Sequence, residues 1–217
     1  MPSDALKKTI IEQFQRLYYY SSQQTWRETY YRGCHVYKSP TDLWIYQEIV
    51  NEVGPSLIIE SGTNRGGSAY FLADLCETIG KGKVVTIDVE EFPDRPIHDR
   101  IKYLVGRSVD SEVIREVEKL LPLDGGPVMV ILDSDHSAEN VAAELEVYSN
   151  IVTPNSYLIV EDTNICGNPV MPNLVSGPME AVAAFLSVTS DFVIDKSREK
   201  FMLTFNPSGY LRKCSLS

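Results

Sequence analysis

The apolar run VMVIL, residues 128–132, ends in two aspartates and a histidine: Asp133, Asp135 and His136, within VMVILDSDHSAEN. A second apolar run, YLIV at 157–160, ends in Glu161 and Asp162. Polar groups crowded at the ends of buried strands are costly unless something uses them. If the two strands are neighbours, up to four carboxylates converge on one spot, and oxygen-rich clusters of this kind suit Mg²⁺, Ca²⁺ or Mn²⁺. A cation would also relieve the repulsion between packed carboxylates. The competing reading for part of the group is helix capping, with Asp135 or Ser137 as the N-cap of AENVAAEL. His136 has three readings: metal ligand, proton-exchanging base or a hydrogen bond within its loop.

Two further strand ends carry chemistry. SLIIE runs into SGTNRGGS, where glycines 62, 66 and 67 allow a tight turn and close approach of a ligand, and the next helix offers free N–H groups. The spacing is ExGxxxGG, which matches neither the GxGxxG dinucleotide fingerprint nor GxxxxGK[ST]. A turn that merely needs glycine is an equally good account of it. VVTID ends in Asp88. An acid about 20 or more positions past such glycines can accept hydrogen bonds from ribose hydroxyls. Alone it reads as a solvated strand-end acid; together with the glycine turn it points to a nucleoside-containing cofactor.

These groups need a scaffold that brings strand ends together, and the chain alternates accordingly. Residues 4–31 read as helical, and TDLWIYQEIVNEV as a helix with Thr41 or Asp42 as N-cap. Strands SLIIE, KVVTIDVE, IKYLVGRS, VMVILDSD and SYLIVEDT alternate with helices AYFLADLCETIG, SEVIREVEKLL, AENVAAELEVYSNIV and MEAVAAFLSVT. DFVIDK and KFMLTFNPSGYLRK read as a closing hairpin. Strands separated by helices of ten or more residues predict a parallel α/β sheet covered on both faces, with its ligand site beyond the carboxyl ends of the strands. The predicted organisation is an N-terminal helical arm, 1–40, followed by one domain, 41–217.

The 217 residues are 43% hydrophobic and 23% charged, with a formal net charge of −10. That acidity argues against binding a phosphate backbone and for a small-molecule partner. No apolar run reaches the roughly 20 residues needed to span a bilayer, and no signal peptide is recognisable, so a cytoplasmic protein is expected. The four cysteines (34, 76, 166 and 214) form no CxxC pair, zinc signature or disulfide framework.

ESGTNRGGSA, TIDVE, VILDSDHS, YLIVEDT and TFNPSGYLRK, in this order, resemble the cephalosporin-hydroxylase-like family of S-adenosylmethionine-dependent methyltransferases. WRETYYRGCHVYKSPTDLWIYQEI fits the segment that precedes them, so the resemblance runs from about Trp26 to the end. It implies a Rossmann-like class I methyltransferase fold: a mostly parallel seven-stranded sheet, helices on both faces and a C-terminal antiparallel hairpin. It also implies bound S-adenosylmethionine, a divalent cation, usually Mg²⁺, and methyl transfer to a hydroxyl of a small-molecule acceptor. By this resemblance Glu60, Gly62, Thr63 and Ser68 surround the methionine and ribose, Asp88 holds the ribose hydroxyls, and Ser108 lies near the adenine. Glu161 and Asp162 match two metal ligands. Asp135 is the expected third ligand, with Asp133 beside it at the cofactor–metal junction. In more distant metal-dependent relatives the first aspartate, Asp133, is the ligand and the position of Asp135 supplies the base. Asp135, Asp133 and His136 are all candidates to take the acceptor's proton.

The Tyr18–Tyr20 run, Tyr30, Tyr31 and the loop NICGNPVMPNLVSGP are candidate substrate walls, or alternatively packing and oligomer contacts; a homo-oligomer is expected. Lys38 reads as solvated, with an anionic substrate group as the alternative. Two rival functions are a DxD-type nucleotide-sugar glycosyltransferase, which leaves the glycine turn and Glu161–Asp162 unused, and a non-catalytic protein retaining a cofactor pocket.

Overall fold

The computed structural model describes residues 2–215. In chain order the elements are α1 (Asp4–Tyr19), β1 (Tyr30–Tyr31), β2 (Cys34–His35), α2 (Pro40–Val53), β3 (Leu57–Ser61), α3 (Gly67–Thr78), β4 (Lys83–Asp88) and β5 (Ile101–Val105). They continue as α4 (Ser111–Glu118), β6 (Val128–Leu132), α5 (Ala138–Tyr148), β7 (Tyr157–Val160), α6 (Pro178–Val188), β8 (Phe192–Ile194) and β9 (Tyr210–Lys213). Seven strands form one sheet in the order β5-β4-β3-β6-β7-β9-β8. The first five are mutually parallel, and β9 runs antiparallel to both β7 and β8. This is the Rossmann-like class I methyltransferase topology.

The strands read as unbroken apolar runs because both faces are covered. In β3 all five residues are buried, and alternate positions feed opposite cores. Ile59, Val85 and Val130 pack on one side with α4, α5 and α6. Ile58, Val84, Met129 and Ile131 pack on the other with α2 and α3. The chain order reverses between β3 and β6, and the crevice at such a switch point is where a sheet of this kind holds its ligand.

Three local expectations are corrected. The first helix stops at Tyr19, and the rest of 4–31 forms a turn, a 3-10 turn at Thr25–Glu28 and β1. Helix α2 starts two or three residues early, with Ser39 as N-cap and Pro40 in the first turn, where its missing N–H costs nothing. Residues 200–205 form no strand; the partner of β8 is β9, which inserts between β8 and β7. Of the two N-cap candidates for α5, Ser137 is the one that caps it, its Oγ accepting the Asn140 N–H at 3.3 Å.

Asp42, on α2, sits fully buried at a position of the apolar face that also carries Ile45, Tyr46 and Ile49. Its Oδ2 accepts the Phe205 N–H and its Oδ1 the Tyr210 hydroxyl, each at 2.8 Å, tying the C-terminal segment to α2. Burial pushes its pKa up to about 7. The folded value lies above the unfolded one, near 3.9. The stability this group contributes is therefore full below about pH 4 and lost as pH rises through about 7. The expected result is that Asp42→Asn gains stability relative to wild type as pH rises from 4 to 8, by up to a few kcal/mol. Chemical denaturation across that range checks it, and a difference that does not vary with pH would overturn it.

Candidate active site

A cavity of about 750 Å³ opens at the carboxyl ends of the parallel strands. Gly62 and Thr63 line it from the turn after β3, Ser68 from the start of α3, Asp88 from the end of β4, Ser108 from beyond β5, and Asp133, Asp135 and His136 from beyond β6. Asp162 joins them from the end of β7, and Trp26, His35, Tyr37 and Lys38 from the N-terminal segment. The sheet order makes β3 central, so its turn faces both Asp88 and Asp133.

Gly62 has φ +90°, and a Cβ there would lie 1.7 Å from the Asp133 carbonyl oxygen. Only glycine lets the β3 turn and the β6 end meet this closely. Gly67 is required for a different reason: a Cβ would lie 2.1 Å from the His35 carbonyl, so the β1–β2 ribbon packs directly on the start of α3. Asp88 is held from two sides, Oδ2 accepting the Asn64 N–H at 2.7 Å and Oδ1 the Glu90 N–H at 3.0 Å. Its carboxylate is thereby fixed at the cavity wall.

Glu60 stands behind the cavity rather than in its lining. It is fully buried, with Oε2 accepting the Thr86 hydroxyl at 2.7 Å and Oε1 without a partner among the described residues. Burial raises its pKa.

The acidic strand ends divide into two layers. In the deeper one Lys38, fully buried, places Nζ 2.5 Å from both Asp133 Oδ2 and Glu161 Oε1. The Tyr46 hydroxyl donates to the same Glu161 oxygen at 2.7 Å, and Asn206 donates to Tyr46 at 3.0 Å while accepting the Asp162 N–H at 3.1 Å. Burial works against the Lys38 ammonium, yet Asp133 and Glu161 hold its pKa above the ordinary lysine value. Burial pushes the Asp133 and Glu161 carboxyls upward in turn. The reading of Lys38 as solvated is thus corrected.

In the outer layer His136 Nε2 lies 3.3 Å from Asp162 Oδ2 and 4.0 Å from Asp133 Oδ1. Burial opposes its protonation, but Asp162 and then Asp133 outweigh that and raise its pKa. Asp133, His136 and Asp162 each offer a ligand atom within 4.8 Å of the others. Two carboxylates and an imidazole converging in this way fit a divalent cation. Glu161 and Asp135 are not brought into this group. Glu161 is taken up by Lys38 and Tyr46, while Asp135 is exposed and its Oδ1 accepts the Ser137 N–H at 2.9 Å.

A second cluster, Asp74, Glu77 and His98, lies away from the cavity. His98 Nδ1 accepts the Arg100 N–H, so Nε2 carries the proton that points at Glu77, and Asp74 is engaged by Tyr31 and Arg32. It is a hydrogen-bonded surface group, and it removes Tyr31 from the candidate substrate walls.

Tyr19 and Tyr20 lock the arm onto the 164–178 loop. The Tyr19 hydroxyl donates to Met171 Sδ at 3.1 Å, and the Tyr20 hydroxyl accepts the Met171 N–H at 2.5 Å. Tyr19 also stacks on Trp26, with centroids 5.1 Å apart, and this places the indole at the cavity.

The family model for "Rhamnosyl O-methyltransferase/CmcI" matches residues 23–214. The rhamnosyl O-methyltransferase of Mycobacterium tuberculosis (strain ATCC 25618 / H37Rv) is 37% identical over 216 residues, 97% of this chain and 86% of the relative. That of Mycobacterium leprae (strain TN) is 36% identical over 208 residues, 94% of this chain and 90% of the relative. Among solved structures, apo CmcI superimposes with a TM-score of 0.68 at 21% identity, covering 88% of this chain and 78% of that one. CmcI with Mg and SAM gives 0.66 at 21% identity, covering 87% and 78%. These structures share the fold, and the family match and the 37% relative go further. The chain belongs to the rhamnosyl O-methyltransferase/CmcI family and is an O-methyltransferase.

Proposed function

We propose that this chain, an S-adenosylmethionine-dependent, divalent-metal-assisted O-methyltransferase of small-molecule hydroxyls, methylates a glycosyl hydroxyl, in the way its mycobacterial relatives are named for a rhamnosyl group. The observation that carries the reading is one continuous cavity joining the Gly62 turn, Asp88 and Ser108 to the Asp133–His136–Asp162 cluster. A nucleoside cofactor and a metal-activated hydroxyl both fit that arrangement. Trp26, His35 and Tyr37 supply aromatic faces at the same cavity, suited to the C–H face of a sugar ring.

The chain's residues divide the work as follows. Asp88 receives the ribose hydroxyls. Ser68 and the first N–H groups of α3 meet the methionine end, and Glu60, behind that wall, has Oε1 without a partner among the described residues and able to accept from an amino group. Asp133, Asp162 and His136 would hold the cation, which when bound polarises the acceptor hydroxyl and lowers its pKa. Lys38 and Tyr46 hold Glu161 behind this group, and Asn206 fixes the Asp162 backbone. Asp135, on the same cavity wall with one oxygen uncommitted, takes the acceptor proton. Positioning of acceptor and methyl donor in line accounts for much of the rate. We place the enzyme in the cytoplasm as a homo-oligomer; its acidity disfavours nucleic-acid partners, and among the described residues no helix is long and apolar enough to cross a membrane.

The test is isothermal titration with S-adenosylhomocysteine and with a uridine diphosphate sugar, followed by labelled-methyl transfer to a panel of deoxyhexosides and aglycones. Binding of the homocysteine derivative and transfer to the glycosides are expected. Binding of only the sugar nucleotide would favour the glycosyltransferase, and transfer only to aglycone hydroxyls would overturn the glycosyl assignment.

A further inference from the structure

Glu144 lies on α5 and is fully buried, although the enzyme's chemistry as described does not use it. Its Oε1 accepts two hydroxyls that line the cavity, Ser108 Oγ at 2.5 Å and Ser134 Oγ at 2.7 Å. Its Oε2 has no partner among the described residues. A serine hydroxyl has one proton and two lone pairs, and it normally rotates to suit whatever it meets. Here that freedom is gone. Each proton is committed to Glu144, so each serine can only accept from the cavity side. The commitment does not depend on the charge of Glu144, since a proton on the carboxyl would sit on the partnerless Oε2.

The two serines differ in what remains. Ser134 Oγ also accepts from Asn140 Nδ2 at 3.1 Å, which uses one of its lone pairs. Ser108 Oγ accepts from no described residue and keeps both for a ligand. Ser108 follows β5, the neighbour of β4, whose end carries Asp88. On the proposed reading, a nucleoside whose ribose reaches Asp88 puts its base beside Ser108, with Ser134 lining the same cavity and sharing the same Glu144 oxygen.

We propose that Glu144 is a positioning residue that sets base specificity: by holding the Ser108 proton it makes Ser108 Oγ an obligate acceptor, which selects a purine with an exocyclic amino group over a 6-oxo purine. Adenine offers N–H at position 6 and satisfies the acceptor. Hypoxanthine offers an oxygen there, and two acceptors face each other with neither able to rotate away. The inference rests on the reading that this cavity takes S-adenosylmethionine with its base at Ser108.

The experiment is isothermal titration of S-adenosylhomocysteine and its deaminated analogue, S-inosylhomocysteine, into wild type, Glu144→Met, Glu144→Gln and Ser108→Ala. Wild type is expected to prefer the adenosyl compound by about tenfold or more, the usual effect of one unsatisfied buried polar pair. Glu144→Met frees the Ser108 proton and should bring the two affinities within about threefold. Glu144→Gln retains a carbonyl acceptor for both serines and should restore the preference. Ser108→Ala should lose it without touching α5, which keeps the test intact if the methionine variant folds poorly. A purely structural Glu144 would weaken both ligands equally; an unchanged ratio in Glu144→Met or Ser108→Ala overturns the proposal. Strong binding of both compounds to wild type overturns it while leaving the cofactor reading in place. Binding of neither overturns both.

Discussion

Asp133→Asn should abolish divalent-cation binding and lower methyl transfer by about 10²–10⁴-fold, the range expected when metal polarisation of the acceptor is lost. S-adenosylhomocysteine affinity should change little. Asparagine keeps the shape of the side chain, so the fit against the Gly62 turn survives, while one of the two converging carboxylates loses its charge. Asp135→Asn provides the contrast. Its side chain is exposed and bound to Ser137, outside the converging group, so cation affinity should hold while kcat falls by about 10²–10⁴-fold, as for loss of a general base. Titration with Mg²⁺ separates the two variants, and kinetics measure the second. If Asp135→Asn loses the cation and Asp133→Asn keeps it, the division of labour is reversed and Asp135 becomes the ligand.

The proposed division could not be read from DSD alone. In an extended strand Asp133 and Asp135 share a side, so both can reach the site, and the family resemblance alone makes Asp135 the expected ligand. The strand ends at Leu132, and the Asx-type bond from Asp135 to Ser137 turns the second carboxylate toward the start of α5. The sheet itself was legible because its central strands are uniformly apolar runs, and a run bounded by turn residues leaves few choices. Asp88 and the glycine turn were legible as strand ends for the same reason. Lys38 was not, because YKSP carries no local sign of burial; its environment is created by strands more than ninety residues downstream. Glu144 and Asp42 did leave a signal. Val141, Glu144, Leu145 and Tyr148 occupy one helical face at i, i+3, i+4 and i+7, and Asp42 shares the apolar face of Ile45, Tyr46 and Ile49 in the same way. An acid at an apolar-face position marks a buried hydrogen-bonded group, whereas the local reading makes Asp42 an N-cap candidate and leaves Glu144 an ordinary residue of AENVAAELEVYSNIV.

Lys38→Met should lower the melting temperature of the metal-free protein by roughly 10 °C, and Mg²⁺ should restore much of the loss. The arithmetic follows from burial. Removing one partner of a buried ion pair costs about 3–5 kcal/mol, because the other charge stays behind uncompensated. For a chain of this size each kcal/mol shifts the midpoint by about 2–4 °C. Lys38 faces two carboxylates at 2.5 Å, with side-chain exposures of 3% for the lysine, 21% for Asp133 and 4% for Glu161, so solvent can do little to replace it. Methionine fills most of the volume, which leaves charge as the main change. The same vacancy makes the carboxylate end more negative and removes a cation from beside the metal-binding group. Mg²⁺ should therefore bind Lys38→Met more tightly than wild type, and the thermal shift it produces should be correspondingly larger. Differential scanning calorimetry with and without Mg²⁺, and titration of the cation into both proteins, measure the two effects. A melting temperature within about 2 °C of wild type would show that Lys38 contributes as a surface pair does. Weaker Mg²⁺ binding in the variant would show instead that the ammonium's main effect is to hold Asp133 in place for the metal, which outweighs the repulsion between the two cations.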